Sequence, residues 1–267
     1  MSWHNGPMMG LDFESSGVDT EADRIVQSAL VIVHAAERRV EQDVRLINPG
    51  IEIPEAATEV HGITTARAEA DGAKPAEALE DLAADLVAGL TAGWPIVGAN
   101  LVYDLTLMDR ELRRHGLATL EQRLRVPIAP VVDVMVIDKI CHRFRKGGRK
   151  LTDLCDHYGV RIDGAHDAGA DALAACRIAW RMVQWGGLPD SHFAQHPGIS
   201  QRDMASVPAA YRRLAALPLA DLHTAQVRAK KVQDAGLAEY FRSKGQAFTG
   251  LDGHWPMIPF TGQQAMS

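Results

Sequence analysis

The run Met8-Met9-Gly10-Leu11-Asp12-Phe13-Glu14 sets two carboxylates, one residue apart, inside an otherwise apolar stretch. On a β-strand alternate side chains leave the same face, so Asp12 and Glu14 would stand together, a few ångströms apart. Two acids on one face of a buried strand are costly unless a cation or a polar partner compensates them. The chain supplies further hard oxygen donors at element boundaries: Asp104, after Pro95-Ile96-Val97-Gly98-Ala99-Asn100, and Asp171, at the start of an alanine-rich helical stretch. Four carboxylates of this kind suffice for a pair of hard divalent ions. His166 lies five residues before Asp171.

The hydrophobic periodicity predicts a mixed α/β sheet. Residues 8–13 read as the first strand, and Arg24 to His34 and Val40 to Ile47 as two more, joined by the charged turn Ala36-Glu37-Arg38-Arg39 into an antiparallel meander. Leu79, Leu82, Leu86 and Leu90 recur at helical spacing within Ala76 to Leu90. Ile96-Val97-Gly98 reads as a short buried strand, Leu105 to His115 as a helix with Asp104 in its first turn, and Val131-Val132-Asp133 as the last strand. Helices follow near Val134–Phe144, Leu151–Tyr158 and Ala170–Trp185.

Three segments carry a family resemblance. Leu11-Asp12-Phe13-Glu14-Ser15-Ser16-Gly17, Gly98-Ala99-Asn100-Leu101-Val102-Tyr103-Asp104 and His166-Asp167-Ala168-Gly169-Ala170-Asp171-Ala172 resemble, in order and spacing, the three motifs of the DEDDh 3′–5′ exonucleases. The likeness is to the epsilon proofreading subunit of bacterial DNA polymerase III and its free-standing relatives, the DnaQ-like enzymes. Val60-His61-Gly62-Ile63-Thr64 resembles the family's loop after the first motif, and Lys150-Leu151-Thr152-Asp153-Leu154-Cys155 the helix before the third. The resemblance covers residues 7–187 and implies a ribonuclease-H-like sheet flanked by helices.

It also implies a chemistry. Phosphodiester hydrolysis needs an attacking hydroxide, neutralised charge on phosphorus and a stabilised leaving oxygen, and two Mg²⁺ or Mn²⁺ ions about 4 Å apart supply all three. By similarity Asp12 bridges the metals, Glu14 and Asp171 serve the one that holds the attacking water, and Asp104 acts through water or the second metal. His166 is the expected base, a role suited to a side chain whose unperturbed pKa is about 6.5. The expected products are nucleoside 5′-monophosphates from DNA 3′ ends, in proofreading or repair. RNA trimming stays open, since 2′-OH contacts are not legible in motifs. So does a non-catalytic module that binds a DNA polymerase, although all five chemical residues are present.

Further candidates for substrate contact are Ser15, Ser16 and Gly17, as a tight turn beside the metals; His61 and Ile63, by resemblance to residues lining the pocket of the terminal nucleotide; Asn100, which orders the second-motif backbone or meets substrate; and Tyr103, whose ring stacks a base or packs. Asp104 would in addition suit a helix N-terminus.

Composition limits the remaining choices. With 267 residues, 46% of them hydrophobic, the chain can bury a full core, read as an exonuclease domain over residues 1–187 and a helical extension over 188–267 packed on it. Within the extension Leu219 to Lys244 reads as one long helix, and residues 253–260 are too apolar for a solvated tail. No run of eighteen apolar residues and no secretory leader pattern appear, so a soluble cytoplasmic protein without a membrane partner is expected. Cys141, Cys155 and Cys176 are dispersed and suit a reducing compartment. A net charge of −6 argues against sequence-blind coating of nucleic acid, which leaves grip on a strand end. The one dense basic stretch, Arg143 to Lys150, reads as phosphate contact or as a wetted loop.

Overall fold

The structure, a computed structural model, describes residues 3–162, 167–246 and 253–262. Strands β1 (Pro7–Ser15), β2 (Ile25–His34) and β3 (Arg39–Leu46) form the expected antiparallel meander. β4 (Ile96–Gly98) then pairs with β1, and β5 (Val131–Asp133) with β4, both in parallel, giving one sheet in the order β3-β2-β1-β4-β5.

The helices are α1 (Glu55–His61), α2 (Thr65–Asp71), α3 (Pro75–Thr91), α4 (Leu101–Arg114), α5 (Leu120–Leu124), α6 (Val134–Cys141), α7 (Leu151–Tyr158), α8 (Ala168–Trp185), α9 (Asp190–Gln195), α10 (Val207–Ala216) and α11 (Leu219–Ser243). Alternation along β1 sorts the core. Met9, Leu11 and Phe13 pack with Leu79, Leu82 and Leu86 of α3 and Leu101, Leu105 and Met108 of α4. Met8 packs on the other face with Leu154 of α7 and Cys176 and Met182 of α8. The sheet is thus covered on both sides, the mixed α/β layering that the periodicity predicts.

Two helices go beyond the sequence reading. The segment around His61, expected as a loop, forms α1, which Gly62 ends in a left-handed conformation at φ 73°; α2 follows at once, capped by the Thr64 side chain. Neither helix is long enough to show a helical period. α4 starts four residues before the predicted boundary, because Asn100 takes the left-handed turn at φ 68° that Asn tolerates and releases Leu101 into the helix.

The described residues beyond 187 pack on the sheet and its helices. The edge strand β5 turns its free backbone groups toward α11, where Gln226 accepts from Asp133 N (2.8 Å) and donates to Val131 O (2.9 Å), and His223 Nδ1 accepts from Val131 N (3.2 Å). One side chain amide replaces a neighbouring strand. Tyr211 of α10 hydrogen-bonds Tyr158, which donates to the buried carboxylate of Asp138 (2.7 Å). Ile258 N donates to Thr106 Oγ1, and Arg110 to the carbonyls of Ile258 and Pro259, so this stretch lies against α4, while Gly253 N donates to Asp234 of α11 (3.2 Å). No helix among the described residues is long and apolar enough to cross a membrane. All three cysteines are buried and free.

Candidate active site

The parallel strands β1, β4 and β5 end on one edge of the sheet. From that edge β1 continues to β2 on one side, while β4 leads through α4 to β5 on the other, so the crevice opens where the connections diverge. Asp12 and Glu14 occupy alternate positions at the β1 end, opposite Ala29 and Gln27 of β2. Asp171 comes from the first turn of α8, and one carboxylate oxygen each of Asp12, Glu14 and Asp171 lie within 4.8 Å of one another.

Gly10 permits that approach. A Cβ at this position would lie 2.7 Å from Ala172 O and 3.0 Å from Cys176 Sγ, so α8 rests on bare backbone just below the acids. On the β4 side the strand stops at Gly98, and the β1 backbone beyond it needs another partner. Asp104 provides it, its Oδ1 accepting from Phe13 N at 3.1 Å, which pins the fourth acid beside the other three.

Burial, reinforced by crowding, raises the proton affinity of Asp12, Glu14 and Asp104. Burial, followed by repulsion from Asp104, Asp171, Glu14 and Asp167, pushes Asp12 well above the usual carboxylate range. Burial and the charges of Asp171 and Asp167 push Glu14 up to about 7, and burial, with Asp133 and Glu14 opposing ionisation, pushes Asp104 up to about 8. Buried oxygen donors that repel one another suit a hard divalent cation, and this donor set fits magnesium or manganese. His166 lies outside the described residues.

The turn after β1 is tied from within. Ser16 Oγ donates to Asp23 (2.8 Å) and accepts from Arg24 N (3.0 Å), while the Tyr103 hydroxyl lies 2.7 Å from Ser15 Oγ and donates to Gly17 O (2.5 Å). A side chain at Gly17 would strike the Asp23 carboxylate. The His61 ring lies against the Ser15 backbone, with burial lowering its proton affinity, and its Nδ1 accepts from Ile63 N. Ile63 is buried among Val26, Ile53 and Ala68 rather than facing the crevice. Asn100 is exposed at the α4 N-terminus, one turn before Asp104.

Sequence reasoning missed Asp133. It ends β5 and is fully buried, and its carboxylate accepts from Asn100 N (3.3 Å), Leu101 N (3.0 Å), Met135 N (2.9 Å) and Val136 N (3.3 Å). It therefore caps α6 and holds the start of α4, the helix that carries Asp104. The signal was present in the sequence: an acid closing the apolar pair Val131-Val132, much as Asp12 follows Gly10-Leu11. Asp167 was likewise passed over, and it caps α8 by accepting from Ala170 N.

The RNase T exonuclease family profile matches residues 9–179. The chain belongs to the RNase T exonuclease family. Over 176 residues this exonuclease is 27% identical to the PolC-type DNA polymerase III of Lacticaseibacillus paracasei, an alignment covering 64% of the chain and 11% of that polymerase. Its fold is similar to Escherichia coli exonuclease I solved with a dT13 oligonucleotide (TM-score 0.58, 19% identity, 75% of this chain and 45% of the other). A zinc-bound complex of the same E. coli enzyme with single-stranded DNA gives a TM-score of 0.58 at 20% identity, over 72% of this chain and 43% of the other. The ribonuclease-H-like fold and the DnaQ-like resemblance are thereby supported, and the chain spans less than half the length of each of these relatives.

Proposed function

We propose that the chain is a metal-dependent 3′–5′ exonuclease of the DEDDh type that trims DNA ends to nucleoside 5′-monophosphates, in proofreading beside a DNA polymerase or in repair, in the cytoplasm. The observation that carries this reading is the meeting of Asp12, Glu14 and Asp171 oxygens within 4.8 Å, with Asp104 pinned to the same strand end. Divalent ions bound there would supply positive charge at the scissile phosphate and would lower the proton affinity of a water beside it. Asp12, Glu14, Asp104 and Asp171 would hold the ions, and His166, outside the described residues, would take the proton from the attacking water. The Ser15-Ser16-Gly17 turn, backed by Tyr103 and His61, borders the terminal nucleotide, and Asn100 faces the strand that leads to it. Residues 1–187 form the catalytic domain and 188–267 an extension that braces it.

The DNA assignment draws on exonuclease I, which was solved with DNA oligonucleotides, and on the polymerase relative. The family's own name keeps RNA in view, and one assay reads both. Single-stranded DNA, 3′-recessed DNA and RNA oligonucleotides labelled at the 5′ end are incubated with Mg²⁺ or EDTA, for wild type, Asp12→Ala and His166→Ala. The expected result is a ladder shortening from the 3′ end, abolished by EDTA and reduced at least ~10³-fold in both variants. Cleavage indifferent to Asp12, or none at all, would leave a binding module in place of the enzyme.

A further inference from the structure

The basic run Arg143 to Lys150 divides in the structure. Arg145 turns inward onto Asp138 and is nearly buried. Arg149 also reaches Asp138 (2.7 Å), yet it lines a cavity of about 230 Å³ shared with Lys139 of α6, Lys230 of α11, Asn100 and the indole of Trp255. Three cations from three parts of the chain thus face one space.

Their charges are unequally compensated. Lys230 pairs with Asp234 at 2.9 Å, whereas Lys139 makes no ion pair among the described residues. Burial, together with repulsion from Arg149, Lys230 and Arg143, lowers the proton affinity of Lys139, with Asp234 the opposing charge. An anion in the cavity would relieve that repulsion. The neighbouring polar group Asn100 begins the helix of Asp104, and its N–H is already engaged by Asp133. β5 lies two strand places from β1, ~10 Å across the sheet, which leaves the cavity at the end of β5 within reach of a strand whose end sits at Asp12, a few nucleotides upstream. Asp133 also lines the cavity, but its carboxylate is taken up by four backbone N–H groups, and Arg149 and Lys230 are partnered by Asp138 and Asp234, so Lys139 is the uncompensated charge that a phosphate would meet there.

We propose that this cavity binds a backbone phosphate of the substrate strand upstream of its reacting end, with the C-terminal helix α11 contributing Lys230 to the contact. The inference rests on the nuclease reading, and it makes the extension part of the substrate-binding surface.

The test is fluorescence anisotropy of a 5′-labelled dT15 oligonucleotide in EDTA, titrated at several salt concentrations. It compares wild type, Lys139→Gln, the Lys139→Gln/Lys230→Gln double variant, Lys139→Arg, and Lys74→Gln as a remote exposed control. Each lost lysine is expected to reduce the slope of log K against log salt by about 0.7, with Kd raised roughly five-fold or more at ~0.1 M salt. Lys139→Arg restores the wild-type slope, and Lys74→Gln keeps it. A double variant with unaltered Kd and slope overturns the proposal, as does a Lys74→Gln effect equal to that of Lys139→Gln. Cleavage of the same oligonucleotide by wild type with Mg²⁺ is read separately. Lysine-dependent binding without cleavage would keep the cavity as a phosphate site and sink the nuclease reading, and with it the assignment of the bound strand as substrate.

Discussion

At Gly10 one methyl group separates the proposed metal site from a displaced one. Gly10→Ala would place a Cβ 2.7 Å from Ala172 O, and since that neighbour is helix backbone, α8 must shift and carry Asp171 away from Asp12 and Glu14. The expected outcome is a loss of about 1–3 kcal/mol of stability in urea unfolding, together with a weaker Mg²⁺ dependence of cleavage. The acids themselves make a pH prediction. Glu14 and Asp104, at about 7 and about 8, bind protons more tightly folded than unfolded. Their contribution to the metal-free fold is therefore present below the unfolded carboxylate range and is lost as pH rises through those values. Urea midpoints in EDTA should fall between about pH 5 and 8, and saturating Mg²⁺ should reverse the trend by binding the ionised cluster. A midpoint that rises with pH in EDTA would contradict the crowding. Asp12, Glu14, Asp104 and Asp171 were legible because an acid in an apolar strand or a helix start is conspicuous. Asp133 carries the same signal after Val131-Val132, but its role was not legible, because its work is to accept four N–H groups that only the folded chain brings to it.

Among the elements, β5 and α11 depend on each other. β5 is only three residues long and lies at the sheet edge, and Gln226 occupies the place of the missing strand. Gln226→Leu removes both contacts while keeping the bulk, leaving Asp133 N and Val131 O buried without partners. A loss of about 3 kcal/mol is expected in urea unfolding, with cleavage falling alongside because Asp133 steadies the start of α4. The opposite edge needs no cover: β3 is largely exposed and carries Arg39, Glu41, Asp43 and Arg45, charges that discourage further pairing. Behind β5, Tyr211→Phe deletes the hydroxyl that joins α10 to Tyr158 and Asp138 and should lower stability by about 1 kcal/mol. Strands β1 to β3, with their alternation and charged turn, were readable to within a residue or two. α1 and α2 were not, since seven residues give too few turns for a period to emerge.

Over the whole molecule, the C-terminal segment closes the layer that holds the second motif. Trp255 is only 6% exposed, joins the cluster of β1, α3 and α4, and stacks near His223 with ring centroids 5.1 Å apart. Trp255→Ala should therefore cost about 3 kcal/mol, a core-like penalty from within residues 253–260, the segment read as too apolar for a solvated tail, and a fluorescence-monitored urea curve measures it. The sequence by itself determined the sheet, its flanking helices and the identity of the acids, because strand alternation, helical spacing and ionisable groups among apolar ones are properties of neighbours along the chain. Tertiary structure alone decided how close those acids stand, which backbone groups Asp133 and Gln226 satisfy, and where Lys139, Arg149 and Lys230 meet. Those are contacts between residues tens of positions apart, and their energies depend on burial and distance, which no local pattern encodes.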